Sequence, residues 1–131
     1  MDFYGQKVKF KARSGCLGIN ADLHRWGKSN GICTACTLKQ MDTVEHRLLF
    51  CPADIQERFA LHDNVLNVCG TEVLNGYIQL NTQSKINWLL GDGVFDTWGQ
   101  EIFDKFDKCS KEFLVSVYSD IKERMATALS Q

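Results

Sequence analysis

Residues 33–52 read Cys33-Thr34-Ala35-Cys36-Thr37-Leu38-Lys39-Gln40-Met41-Asp42-Thr43-Val44-Glu45-His46-Arg47-Leu48-Leu49-Phe50-Cys51-Pro52. Within them, Cys33, Cys36, His46 and Cys51 follow the pattern C-x2-C-x9-H-x4-C. Three soft sulfur donors and one imidazole suit a tetrahedral zinc ion. Two cysteines separated by two residues form a tight turn that offers both thiolates to one ion. A histidine and a cysteine five positions apart can close the tetrahedron from the two ends of one helical turn. Four protein ligands leave no open position for water, so the expected ion, one Zn2+, is structural and the module is one that binds, not one that catalyses.

Secondary structure can be read outward from this stretch. Thr43 can cap a short helix that turns Val44, Leu48 and Leu49 inward, with Glu45 near its positive end. Pro52 is placed to start a new helix. That helix carries Ile55, Phe59 and His62 on one face and is expected to end near Asp63-Asn64. Residues 65–81 read as short helices. Asn81 or Thr82 can cap a helix running through Trp88-Leu89-Leu90, stopped by Gly91-Asp92-Gly93. The strongest periodicity comes last. Phe95, Trp98, Ile102, Phe106, Cys109, Phe113, Val117, Ile121 and Met125 recur every three or four positions, as in one amphipathic helix, or two in line, over 94–128. Its stripe should pack on helices 53–63 and 82–90, or on a partner. Upstream, residues 1–14 fit either a short strand or a helix, residues 19–26 about one helical turn, and Gly27 to Gly31 a turn. The expected fold is therefore mostly α: a small zinc-stabilised helical domain with one CCHC knuckle and a long C-terminal amphipathic helix. Segments 1–62, the basic approach and knuckle, and 63–131, the helical extension, should form one compact unit.

A chain of 131 residues is the size of one domain, and its 44% hydrophobic and 24% charged residues are ordinary for a globular one. The net charge of −1 gives no overall pull toward nucleic acid or membrane. The distribution is uneven, however. Residues 1–30 hold six basic residues (Lys7, Lys9, Lys11, Arg13, Arg25, Lys28) against Asp2 and Asp22, a local +4. Such a bias points to a basic binding face. Arg13, Arg25, Lys28 and Arg47 flank the zinc turn and are the candidate nucleic-acid contacts, with Trp26 as a candidate base-stacking platform. The competing readings are a solvated surface for the charges and a packing role for Trp26. No apolar run approaches the roughly eighteen residues of a membrane span, and Lys7, Lys9 and Lys11 break any secretory signal. Six cysteines without such a signal argue for reduced thiols and an intracellular setting, nuclear or cytoplasmic. Cys109 falls on the last helix's apolar stripe and reads as core; Cys16 and Cys69 lack ligand spacing. The competing reading of the four ligands is buried free thiols and a helix histidine.

These residues together resemble the cysteine–histidine segment of non-LTR retrotransposon (LINE-type) reverse transcriptases, which lies downstream of the polymerase domain. The resemblance runs through Lys11-Ala12-Arg13-Ser14-Gly15-Cys16-Leu17-Gly18, Cys33 and Cys36, then Val44-Glu45-His46-Arg47-Leu48-Leu49-Phe50-Cys51-Pro52, with Arg58 a turn further on. It covers residues 8–62 well and the helical tail loosely. No polymerase segment and no Tyr/Phe-x-Asp-Asp turn is present, so the family's enzymatic activities are not expected here. The resemblance implies the accessory role of gripping RNA or DNA, in either a piece of a larger polyprotein or a derived gene that kept the tail. No small-molecule substrate and no membrane is expected. The alternative is a zinc-organised scaffold that docks a protein partner through the 94–128 helix.

Overall fold

The apolar stripe near the C-terminus is what the other helices gather around. The structure, a computed structural model, describes residues 3–14 and 31–130, with side chains from 4–13 and 31–123. Its longest helix, labelled α6 below, spans Gln100–Ser130. On it Phe106, Cys109, Phe113, Val117 and Ile121 are buried and Ile102 is half-buried, as the periodicity requires. The stripe is thus covered by the chain's own helices, which leaves no open face at these positions for a partner.

Residues 1–14, open between strand and helix in the sequence, form α1 (Phe3–Ser14). Val8 and Ala12, four apart, are both buried. α1 runs antiparallel to α6: the Lys122 ammonium reaches the Tyr4 hydroxyl at one end, and Lys9 ion-pairs with Asp107 at the other. Asp107 also holds Lys111 at 2.7 Å. Burial pushes the Lys9 ammonium below its usual range against the pull of Asp107.

α2 (Ile55–Cys69) runs past the expected stop at Asp63-Asn64, because nothing there breaks a helix; Gly70, at φ 99°, ends it. Its inward face also differs from the expected one. Leu61 and Val65 are buried, whereas Ile55 and Phe59 are exposed. Both faces of this helix carry apolar residues, and α6 takes the one bearing Leu61 and Val65. α3 (Thr71–Ile78) follows, then α4 (Thr82–Leu90). Asn81 caps α4 as expected, its side-chain oxygen accepting from the Ser84 N–H at 2.8 Å. Gly91, left-handed at φ 108°, closes it. A Cβ there would also lie 2.8 Å from an Arg13 guanidinium nitrogen.

The stripe from residue 94 onward is broken. α5 (Val94–Trp98) is separated from α6 by Gly99, whose φ of 88° and ψ of −179° suit glycine alone. Phe95 and Phe103 meet edge to face at 6.5 Å. Eight residues along a continuous helix would span about 12 Å, so α5 folds back on α6 and the two are not in line. Tyr77 of α3, Trp88 of α4 and Phe106 of α6 form an aromatic cluster, with centroids 5.6 to 6.3 Å apart. Among the described residues there is no strand beyond one isolated antiparallel bridge, Ile32–Met41. No helix there is long and apolar enough to cross a membrane.

Candidate metal centre

Cys33 and Cys36 sit on a knuckle pinned at its base. The Cys33 N–H donates to the Gln40 carbonyl and the Asp42 N–H to the Gly31 carbonyl, each at 2.8 Å, either side of the Ile32–Met41 bridge. Between them the chain curls so that backbone N–H groups point at sulfur. Ala35 and Cys36 donate to the Cys33 sulfur, and Leu38 donates to that of Cys36. Such donors favour thiolates.

His46 and Cys51 come from the segment Thr43–Pro52. Thr43 does cap it, its hydroxyl oxygen accepting from the His46 N–H at 3.1 Å. The turn His46–Phe50 is π-helical, closed by the Cys51 N–H donating to the His46 carbonyl at 2.6 Å. In an α-helix, residues five apart point about 140° away from each other. The wider turn removes that divergence and brings both donors to one side. Pro52 then starts a short 3-10 turn, Pro52–Asp54, and the Ala53 N–H donates to the Cys51 sulfur.

The four side chains converge. All four candidate ligand atoms lie within 4.8 Å of one another. The Cys33 and Cys51 sulfurs are 3.8 Å apart, and the Cys36 sulfur is 3.5 Å from His46 Nε2. A tetrahedral ion with bonds of about 2.3 Å to sulfur and about 2.0–2.1 Å to nitrogen needs separations of about 3.8 Å and about 3.6 Å. Those two pairs stand at the separations one tetrahedral ion needs, and all four residues are grouped closely enough to hold one. Cys33, His46 and Cys51 are buried and Cys36 is half-buried. Without an ion, burial pushes the Cys51 thiol up to about 12 and that of Cys33 upward too. The Leu38 N–H holds Cys36 below its usual range. Burial holds His46 low, so its ring is neutral, as a ligand must be.

The surrounding charges were not visible in the motif. Arg47, a candidate phosphate contact in the sequence, is 3% exposed. Its guanidinium meets Asp54 at 3.1 Å, Asp120 at 3.3 Å and Asp42 at 3.7 Å. It is withdrawn from solvent, and that assignment is corrected: Arg47 fastens the knuckle, the short turn and α6 together. Asp54 is fully buried, which pushes its carboxyl up to about 6 against the pull of Arg47. The Arg47 charge also favours the Cys36 and Cys51 thiolates. Arg58 of α2 supports the site from the other side, donating to the Cys51 carbonyl at 2.7 Å. Of the other expected contacts, Arg13 is exposed on the last turn of α1. Arg25, Trp26 and Lys28 lie outside the described residues, as do Cys16 and the turn proposed for 19–26. Cys109 is buried on α6, as its place in the stripe requires.

No family model, no curated protein and no solved structure matches the chain.

Proposed function

We propose that the chain is a non-catalytic, zinc-organised nucleic-acid-binding module, comparable to the accessory C-terminal segment of LINE-type reverse transcriptases. The observation that carries it is the convergence of Cys33, Cys36, His46 and Cys51, whose ligand atoms all lie within 4.8 Å of one another. Three thiolates and an imidazole select zinc over the hard, oxygen-seeking cations. Four protein donors fill a tetrahedron, so the ion holds the fold and offers no site for an activated water.

Zn2+ with three thiolates leaves the centre near −1, so the ion itself does not attract phosphate. The grip must come from cations nearby. Residues 1–30 carry the +4 bias, and Lys7 and Arg13 of α1 are exposed. Lys9 and Lys11 contribute less, since Lys9 is paired with Asp107 and Lys11 donates to the Tyr118 hydroxyl at 2.8 Å. Elemental analysis of chelator-free protein, run beside a salt-titrated binding assay on single-stranded RNA and duplex DNA, tests this reading. One zinc per chain and affinity that falls as salt rises are expected. A metal-free chain, or binding indifferent to salt, refutes it.

A second reading, a zinc-organised protein scaffold, is favoured by Ile55, Phe59 and Leu66, which are exposed on α2. Self-association lost in Phe59→Asp would support it.

A further inference from the structure

A cleft of about 460 Å³ opens beside the metal centre, between the π turn, α2, α3 and the start of α4. Its volume lies within the range of ligand sites, roughly 300–1,000 Å³. Three aromatic side chains line it: Phe50, His62 and Tyr77. So do two cations, Arg58 and Lys85, and no carboxylate does. A second cleft, of about 360 Å³ beside α2 and α6, has the opposite character, lined by Glu57 and Glu112 and by no cation.

Neither cation in the first cleft forms an ion pair with a described carboxylate. Arg58 donates through one terminal nitrogen to the Cys51 carbonyl, while its other, Nη1, is buried with no hydrogen-bond partner among the described residues. A buried guanidinium N–H left unpaired is a donor that a water or a bound group has still to satisfy. Lys85 lies 6.0 Å from the Tyr77 ring centroid and makes no ion pair with a described residue. Tyr77 is 2% exposed and packs edge to face against His62 at 6.0 Å. Phe50 is half exposed at the rim, where a flat ring can lie on it.

Resting on the nucleic-acid reading above, we propose that this cleft takes one unpaired nucleotide of a single strand, its base against Phe50 and His62 and its phosphate on Arg58 and Lys85. Every base has a π face, so stacking of this kind tolerates sequence, and cations beside aromatics are the usual means of holding single strands. A paired base cannot enter, which sets the preference for single strands over duplex. Leu49 and Phe50 lie between the ligands His46 and Cys51, so the metal-bearing turn builds one wall of the cleft.

The test is fluorescence anisotropy of the zinc-loaded full chain with a labelled single-stranded oligonucleotide of mixed sequence and with the matching duplex. Arg58 also supports Cys51, so the informative variants are Lys85→Glu and Phe50→Ala, each checked for zinc content and melting temperature. Phe50→Ala should weaken single-strand binding on the order of 5- to 100-fold. Lys85→Glu should weaken it by roughly tenfold or more and flatten the salt dependence by about one phosphate contact. Arg13→Ala, outside the cleft, reports on the wider reading alone. If the wild type binds and Arg13→Ala weakens it, while both cleft variants bind normally, the cleft assignment is overturned and the nucleic-acid reading stands. Preference for duplex also overturns the cleft assignment. No binding of either oligonucleotide by the wild type overturns both.

Discussion

An arginine beside a cysteine–histidine motif reads as a phosphate contact, yet Arg47 meets three carboxylates, Asp42 and Asp54 from its own segment and Asp120 from α6. The spacings of five and seven residues match no regular helical or strand neighbour, and Asp120 lies 73 residues away, so the pairing was illegible before the fold. Taking away the guanidinium leaves Asp54 fully buried beside no cation. Arg47→Met should therefore destabilise the chain by about 3–5 kcal/mol, read from urea denaturation. Asp54→Asn in the Arg47→Met background should return part of that loss. The ligands themselves were legible because C-x2-C and H-x4-C are local spacings. Their protonation yields a second prediction. An acid whose pKa is raised keeps its proton past neutral pH, and the Cys51 thiol is pushed up to about 12 with Cys33 raised as well. Zinc must displace those protons. Capture near neutral pH should release more than one proton per ion, and affinity should climb as pH rises, both measurable by calorimetry in buffers of different ionisation enthalpy.

Caps and breaks explain most of what the sequence allowed at the level of elements. Thr43, Asn81 and Gly91 act where their chemistry places them, since a cap depends on its immediate neighbours. The inward face of α2 depends instead on which of two apolar stripes a distant helix covers, and Ile55 and Phe59 lost to Leu61 and Val65. Gly99 was in plain view inside the periodic run, but periodicity of the side chains does not register one residue's backbone angles. With φ 88° and ψ −179°, that position admits no Cβ without strain. Gly99→Ala should cost about 1–3 kcal/mol, although open space surrounds the site, and a thermal melt will show it. The π turn follows the same logic. The five-residue step from His46 to Cys51 implies it only once both are known to face one ion.

For the whole molecule, the metal centre and the hydrophobic core are largely separate. The core is built from all six helices, α5 contributing Val94, and from the metal-bearing segment it includes Leu48, with Val44 and Leu49 packed against it. Chelation should therefore leave the helical circular dichroism mostly intact while amide exchange accelerates across residues 31–54. Cys33→Ser and His46→Ala should reproduce that pattern. Global unfolding on chelation would show instead that the centre is required for the helices. This separation was partly legible, since the sequence of residues 27–43 holds little that can build a core. The covering of the α6 stripe by α1 was not, because residues 1–14 fitted two secondary structures equally well.

The order of the four ligands along the chain has a consequence for the unfolded state. Cys33 meets Cys51 and Cys36 meets His46, so one loop closes inside another. An ion at their centre acts as a polymer cross-link joining four points of one strand. Like a disulfide, such a link removes conformations from the denatured chain, and a loop of about 15 residues accounts for about 3 kcal/mol in that model. If zinc stays on after the helices melt, the denatured ensemble remains tethered over residues 33–51 and exposes less surface to urea. The zinc-loaded chain should then unfold with a shallower dependence on denaturant than the chelated one, and its refolding should begin from a chain already tied over residues 33–51.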